Sequence, residues 1–158
     1  MYKTCRPLGL IFFDLLNERL FQIFLIIKIL LIILILPVIQ QVWFIPFIAE
    51  WIESPLSLPW TAHISSGGDP LSFPYGLIMF IFHLPSTFIG WALDNLLDLN
   101  YFTGLGFRIS LLFADILLLL LLLQIYEKYW KKILLYYWLS PIVIFVTYWH
   151  GVLDILPV

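Results

Sequence analysis

Four apolar stretches dominate this chain, and the polar residues that punctuate them set the reading of each. Residues 8–27, LGLIFFDLLNERLFQIFLII, carry Asp14, Glu18 and Arg19 in an apolar background. That is the pattern of a helix at a membrane surface, or of a cytosolic extension of the first span. The first span proper is placed at 29–47, because centring it earlier would hold Lys28 at mid-bilayer at a cost of roughly 2.5–3.5 kcal/mol. At the boundary Lys28 can snorkel towards water. Residues 49–69, AEWIESPLSLPWTAHISSGGD, read as a loop with a Ser-Ser-Gly-Gly turn. The following PLSFPYGLIMFIFHLPSTFIGW is apolar but interrupted by Pro70, Pro74, Pro85 and Gly90. The strongest span is 106–125, with its run ILLLLLLL, and the last is 133–149.

Charge then orders these stretches across a membrane. Lys3, Arg6, Arg19 and Lys28 mark the N-terminal side as cytosolic, and Lys128, Lys131 and Lys132 mark 126–132 as cytosolic too. An even number of crossings must separate them, yet three apolar stretches lie between. The 72–91 stretch is the weakest, with two internal prolines and His83, and no Lys or Arg on either flank. It is expected to be re-entrant or interfacial, part of an external loop of about 49–105, where irregular backbone is covered by protein or a cavity. The fold class expected is all-α integral membrane: three transmembrane helices plus one re-entrant or interfacial helix, with four spans as the alternative. Residues 1–28 form a cytosolic or interfacial N-terminal segment and 29–158 the transmembrane region.

Composition supports the membrane setting. Hydrophobic residues make up 63% of the 158, charged residues 11%, and mean hydropathy is +1.03; soluble domains carry about 25% charged residues. A net charge of −2 provides no basic patch for nucleic acid. The single cysteine, Cys5, allows neither an internal disulfide nor a multi-cysteine metal site. No P-loop, GxSxG, HExxH or dinucleotide signature occurs, which disfavours a nucleotide-dependent enzyme.

Three groups of residues carry candidate chemistry on the external face. Glu50, Glu53 and Asp69 are the acidic residues of the loop. Glu50 and Glu53 read as solvated carboxylates. Asp69 sits in SSGGDPLSFPYG, where glycines free the backbone and prolines fix it; a carboxylate held in place and an ordinary Asp-Pro turn fit equally. His150 and Asp154 share one face if a helix continues through them, and Gly151 admits a close neighbour. Taken alone that pair reads as interfacial. Arg108 and Asp115, seven residues apart, form either a structural pair or a functional one, with Arg108 at the external entrance able to bind a lipid phosphate. His63 and His83 read as structural.

The order of these features resembles the N-terminal part of a GT-C-fold integral membrane glycosyltransferase of the mannosyltransferase-like kind. GGDPLSFPYG, the mid-helix FAD at 113–115 and SPIVIFVTYWHGVLD carry the resemblance, which covers about 29–158. It implies transfer of a sugar such as mannose from a polyprenyl-phosphate-linked donor to a hydroxyl acceptor on the external or luminal face. A carboxylate of the first external loop is then the base, Asp69 first and Glu50 second, with His150, Asp154 and Arg108 as substrate-binding contacts. The metal requirement is left open. Val152 stands where the related motif often carries glutamine. The implied partners are membrane lipid, the lipid-linked sugar and a second chain that completes the fold, because the expectation is a C-terminally truncated fragment. The implied location is the bacterial inner membrane or the endoplasmic reticulum, with a cytosolic N-terminus. The alternative is a small non-enzymatic membrane subunit that binds a partner protein or lipid; a channel or carrier is weaker.

Overall fold

The computed structural model describes residues 6–152, and every regular element among them is helical. Helices α1 (Leu8–Leu16) and α2 (Arg19–Leu34) lead into a π-helical turn at Gln40–Phe44 and then α3 (Ile45–Glu53). Helix α4 (Pro59–Ser65) lies in the loop before α5 (Leu77–Leu97) and α6 (Phe102–Ile125). Helices α7 (Trp130–Ile133) and α8 (Pro141–Ile144) are single turns that run on as π-helical segments, Leu134–Trp138 and Phe145–His150.

Helix α6 is the mast of the fold. Helix α5 packs antiparallel along its first half so closely that a Cβ on Gly90 would overlap the Phe102 carbonyl, and one on Gly106 the Ser86 carbonyl. The turn between them is closed by Asp98, in the left-handed region at φ 53°, which Asp tolerates better than most residues. The N-terminus of α6 is capped from α5: the Asp94 carboxylate accepts from the backbone N–H groups of Tyr101, Phe102 and Thr103 at 2.7–2.9 Å and from the Thr103 hydroxyl at 2.6 Å. One carboxylate thereby satisfies donors that a helix start leaves without partners.

Two cores are stacked along α6. Phe44, Phe47, Ile48, Phe73 and Phe80 gather on Phe107 and Leu111, whereas Ile11, Leu15, Phe21, Leu134 and Trp138 gather on Leu119 and Leu123. The cationic stretches meet at the end of the second core, where Arg6 lies 3.8 Å from Glu127 and the Arg6 carbonyl accepts from Gln124 at 3.1 Å.

By length and apolarity, α5 and α6 can each cross a bilayer, and the pair Glu127–Trp138 and Pro141–His150, bent by 45°, adds a third crossing if it acts as one span. The bend falls at Leu139–Ser140, before Pro141, where the backbone is driven out of the helical region.

Three sequence expectations are corrected. Residues 29–47 are not one span: α2 begins at Arg19 and stops at Leu34, and its 16 residues reach only about 24 Å. Pro37 is the reason, since it lacks an N–H and turns the preceding residue extended. Within the 72–91 stretch Pro74 precedes the helix and Pro85 does not break it, because a continuous 21-residue helix runs from Leu77 to Leu97 with Pro85 inside it; Thr87 Oγ1 donates to the nearby His83 carbonyl at 2.7 Å. Lys28 does not snorkel; it is fully buried.

Candidate functional site

The polar residues of the interior form a column against α6. Lys28 Nζ sits 2.6 Å from Asp115 Oδ2, with neither side chain exposed. The same carboxylate accepts from Tyr148 Oη at 2.6 Å and, through Oδ1, from Tyr137 Oη at 2.7 Å. The ammonium lies 3.4 Å above the Trp138 ring centre, a cation–π contact of the kind strengthened by desolvation. Tyr137 and Trp138 belong to one π-helical segment and Tyr148 to another. The third such segment supplies Gln40, whose Nε2 donates to the Gly151 carbonyl at 3.0 Å. The wider π-turn re-aims side chains, and here each one delivers a polar group to the same interior.

The Arg108–Asp115 pair weighed from the sequence does not form. Seven residues of helix separate the two by about 10 Å of rise, and Lys28 arrives from α2 at the level of Asp115. Arg108 instead closes the end of α2. Its Nη1 donates to the carbonyls of Ile32 and, at 2.6 Å, of Ile35, and its Nε to Gly104 at 2.9 Å. Tyr101 Oη donates to the Ile33 carbonyl at 3.0 Å, the acceptor that Pro37 cannot serve. Arg108 is therefore buried rather than displayed at an entrance, and its positive charge lies at the negative end of α2.

The loop between α3 and α5 gathers the candidate carboxylates. Glu50 Oε1 accepts from the Ser66 hydroxyl, and Oε2 lies 2.5 Å from His63 Nδ1. The Ser66 hydroxyl, and then His63, hold Glu50 below the usual carboxylate range. Ser54, Ser57, Thr61 and Ser65 line the same pocket of about 310 Å³. The opposite side of the His63 ring packs on Gly68, where any Cβ would collide with it. Asp69 follows directly and is exposed, with Oδ1 accepting from the Leu71 N–H at 2.8 Å and its carbonyl from the Ser72 N–H at 2.9 Å. Downstream, Phe73 stacks on Phe47 at 5.0 Å, and its carbonyl accepts from Trp60 Nε1 at 3.0 Å. Asp69 thus stands on a turn pinned at both ends.

The structure joins Glu50 to His63 and Ser66, sets Asp69 on the turn that follows Gly68, and holds Arg108 at the end of α2. His150 is exposed and stacked on Phe145. The helix stops there, because Gly151 takes a left-handed φ of 84° and packs on the Pro37 ring. The π-helical segment ends at His150, and Asp154, the other half of the pair, lies outside the described residues. His83 is buried between α5 and α6, bonded through Nδ1 to the Ser110 hydroxyl and stacked on Phe107. Among the described residues no group of three His, Cys, Asp or Glu side chains is arranged to hold a metal ion.

Two associations escaped the sequence reading. Glu50, His63 and Ser66 are spread over 16 residues with no helical or strand period to align them. Lys28 and Asp115 are 87 residues apart, yet one signal existed: a lysine and an aspartate, of opposite sign, each embedded in an apolar stretch. Compared with family models, curated proteins and solved structures, the chain matches none of them.

Proposed function

We propose that this chain is an integral membrane glycosyltransferase component, transferring a sugar such as mannose from a polyprenyl-phosphate donor to a hydroxyl acceptor. The observation that carries the reading is Asp69, an exposed carboxylate on a turn fixed by its own Oδ1 bond to Leu71 and by the burial of Phe73. A general base must hold its position relative to the proton it removes. In the proposed step Asp69 takes the acceptor hydroxyl's proton as that oxygen bonds to the anomeric carbon. The bond from that carbon to the phosphate oxygen breaks, and its electron pair leaves with the lipid phosphate. Glu50, engaged by His63 and Ser66, serves better to position the loop than to remove a proton. Arg108 holds the end of α2 through Nη1 and keeps its Nη2 without a partner among the described residues, so the phosphate contacts of this reading are Arg108, His150 and Asp154, with a companion chain.

The experiment is sugar transfer from a radiolabelled polyprenyl-phosphate donor in membranes holding the chain with any partner that co-purifies. Asp69→Asn is expected to abolish transfer while insertion and assembly persist. Transfer equal to the parent's, or none in either, overturns the reading. A non-enzymatic membrane subunit is then what remains, and the commitment of Arg108, Asp115 and Asp94 to internal contacts favours it.

A further inference from the structure

A second polar concavity lies away from Asp69, between α3 and the α5–α6 turn. Its volume is about 480 Å³, and Gln41, Glu53, Asn95, Asn100 and Trp91 line it, a size suited to a small molecule. Gln41, Glu53, Asn95 and Asn100 are all exposed. Among the described residues none of their four side chains makes a hydrogen bond or ion pair within the chain, so their polar groups face the cleft unspent. Its walls are firm. Trp91 is half-buried against the first core and stacked on Phe88 at 6.0 Å, and the buried Asp94 ties the turn to the start of α6.

We propose that this cleft binds a neutral, hydroxyl-rich ligand, a sugar, using Glu53 and the three carboxamides against the Trp91 ring. The chemistry of the lining selects it. Among the described residues no Lys, Arg or His lines the cleft, so an anion would meet Glu53 without a compensating charge. A cation would find one free carboxylate, since Asp94 already accepts four donors, and it would leave the N–H groups of three amides unanswered. A hydroxyl both donates and accepts, and so do carboxamides, while Glu53 accepts only. The indole offers an apolar face for a ring's C–H groups. The inference stands apart from the catalytic reading: the cleft does not include Asp69 or Glu50, and binding is measured without transfer.

The test is saturation-transfer NMR and titration with methyl α-mannopyranoside and methyl β-glucopyranoside, using protein in phosphatidylcholine nanodiscs free of glycoside detergent. Tetramethylammonium and inorganic phosphate are the comparison probes. At least one glycoside is expected to bind saturably. Glu53→Gln and Asn100→Ala, both at exposed positions, should each weaken it by about fivefold, the loss of one net hydrogen bond, and Trp91→Phe should weaken it as well. No saturable glycoside binding, binding indifferent to all three substitutions, or Glu53-dependent binding of tetramethylammonium in place of the sugars overturns the proposal.

Discussion

Lys28 and Asp115, 2.6 Å apart and wholly buried, join α2 to the middle of α6. Removing one partner of such a pair strands a charge. Lys28→Met is expected to cost about 3–5 kcal/mol. The double variant Lys28→Met with Asp115→Asn should be less destabilised than Lys28→Met alone, because no carboxylate is left uncompensated. Unfolding of the three proteins in lipid discs checks this, and additive losses would show that the two residues act independently.

Arg108 serves three backbone carbonyls through two different nitrogens, a geometry that a lysine ammonium cannot reproduce. Arg108→Lys should therefore lose about 1.5–3 kcal/mol, the range for hydrogen bonds to a charged group. The loosening should be local. Hydrogen exchange ought to rise over the last turn of α2, near 30–36, and stay unchanged in α1.

The glycines divide by what surrounds them. Gly90→Ala drives a Cβ into the Phe102 backbone, an overpacking costing about 1–3 kcal/mol or more. Gly9→Ala meets open space within α1 and should stabilise by about 0.5–1 kcal/mol. Paired melting curves decide it, and equal effects would contradict the close α5–α6 packing.

Glu50 provides the pH dependence. Its folded-state pKa lies below the ordinary value of 4.5, held there by Ser66 and His63. The unfolded chain therefore binds more protons through this window. The stabilisation is fully present above 4.5 and is lost as pH falls through the lower folded value. Exchange in the 57–68 loop should accelerate on acidification below that point, and Glu50→Gln should abolish the pH dependence. An unchanged acid response in the variant would assign the effect to another group.

Much of the helical framework could be read from the chain, and for a reason. The run from Gly106 to Ile125 is apolar enough that only one structure suits it, and α6 spans it. The basic segments around Arg6 and Lys128 do lie at one end of the fold. The failures share a cause as well. Lys28 was placed at a boundary because a lone charge is expensive in hydrocarbon, and nothing local reveals that Asp115 neutralises it. Pro37 ends a helix within one apolar run, whereas Pro85 sits inside a helix within another. A proline's effect depends on whether outside donors or hydroxyls serve the carbonyls around it, and those partners are tertiary. At the candidate site, GGDP announced a turn, and a turn holds Asp69. The Glu50–His63–Ser66 association, built across a loop, had no periodicity to betray it.

The way α2 ends bears on how the protein is made. Its last carbonyls wait for Arg108, 76 residues later in the chain, and its lysine waits for Asp115, 87 residues later. At about 5–20 residues per second the ribosome needs several seconds to supply them. A newborn α2 therefore enters the translocation machinery with a ragged end and a naked ammonium. It settles only when α6 follows, so the first and third quarters of the chain mature as one event.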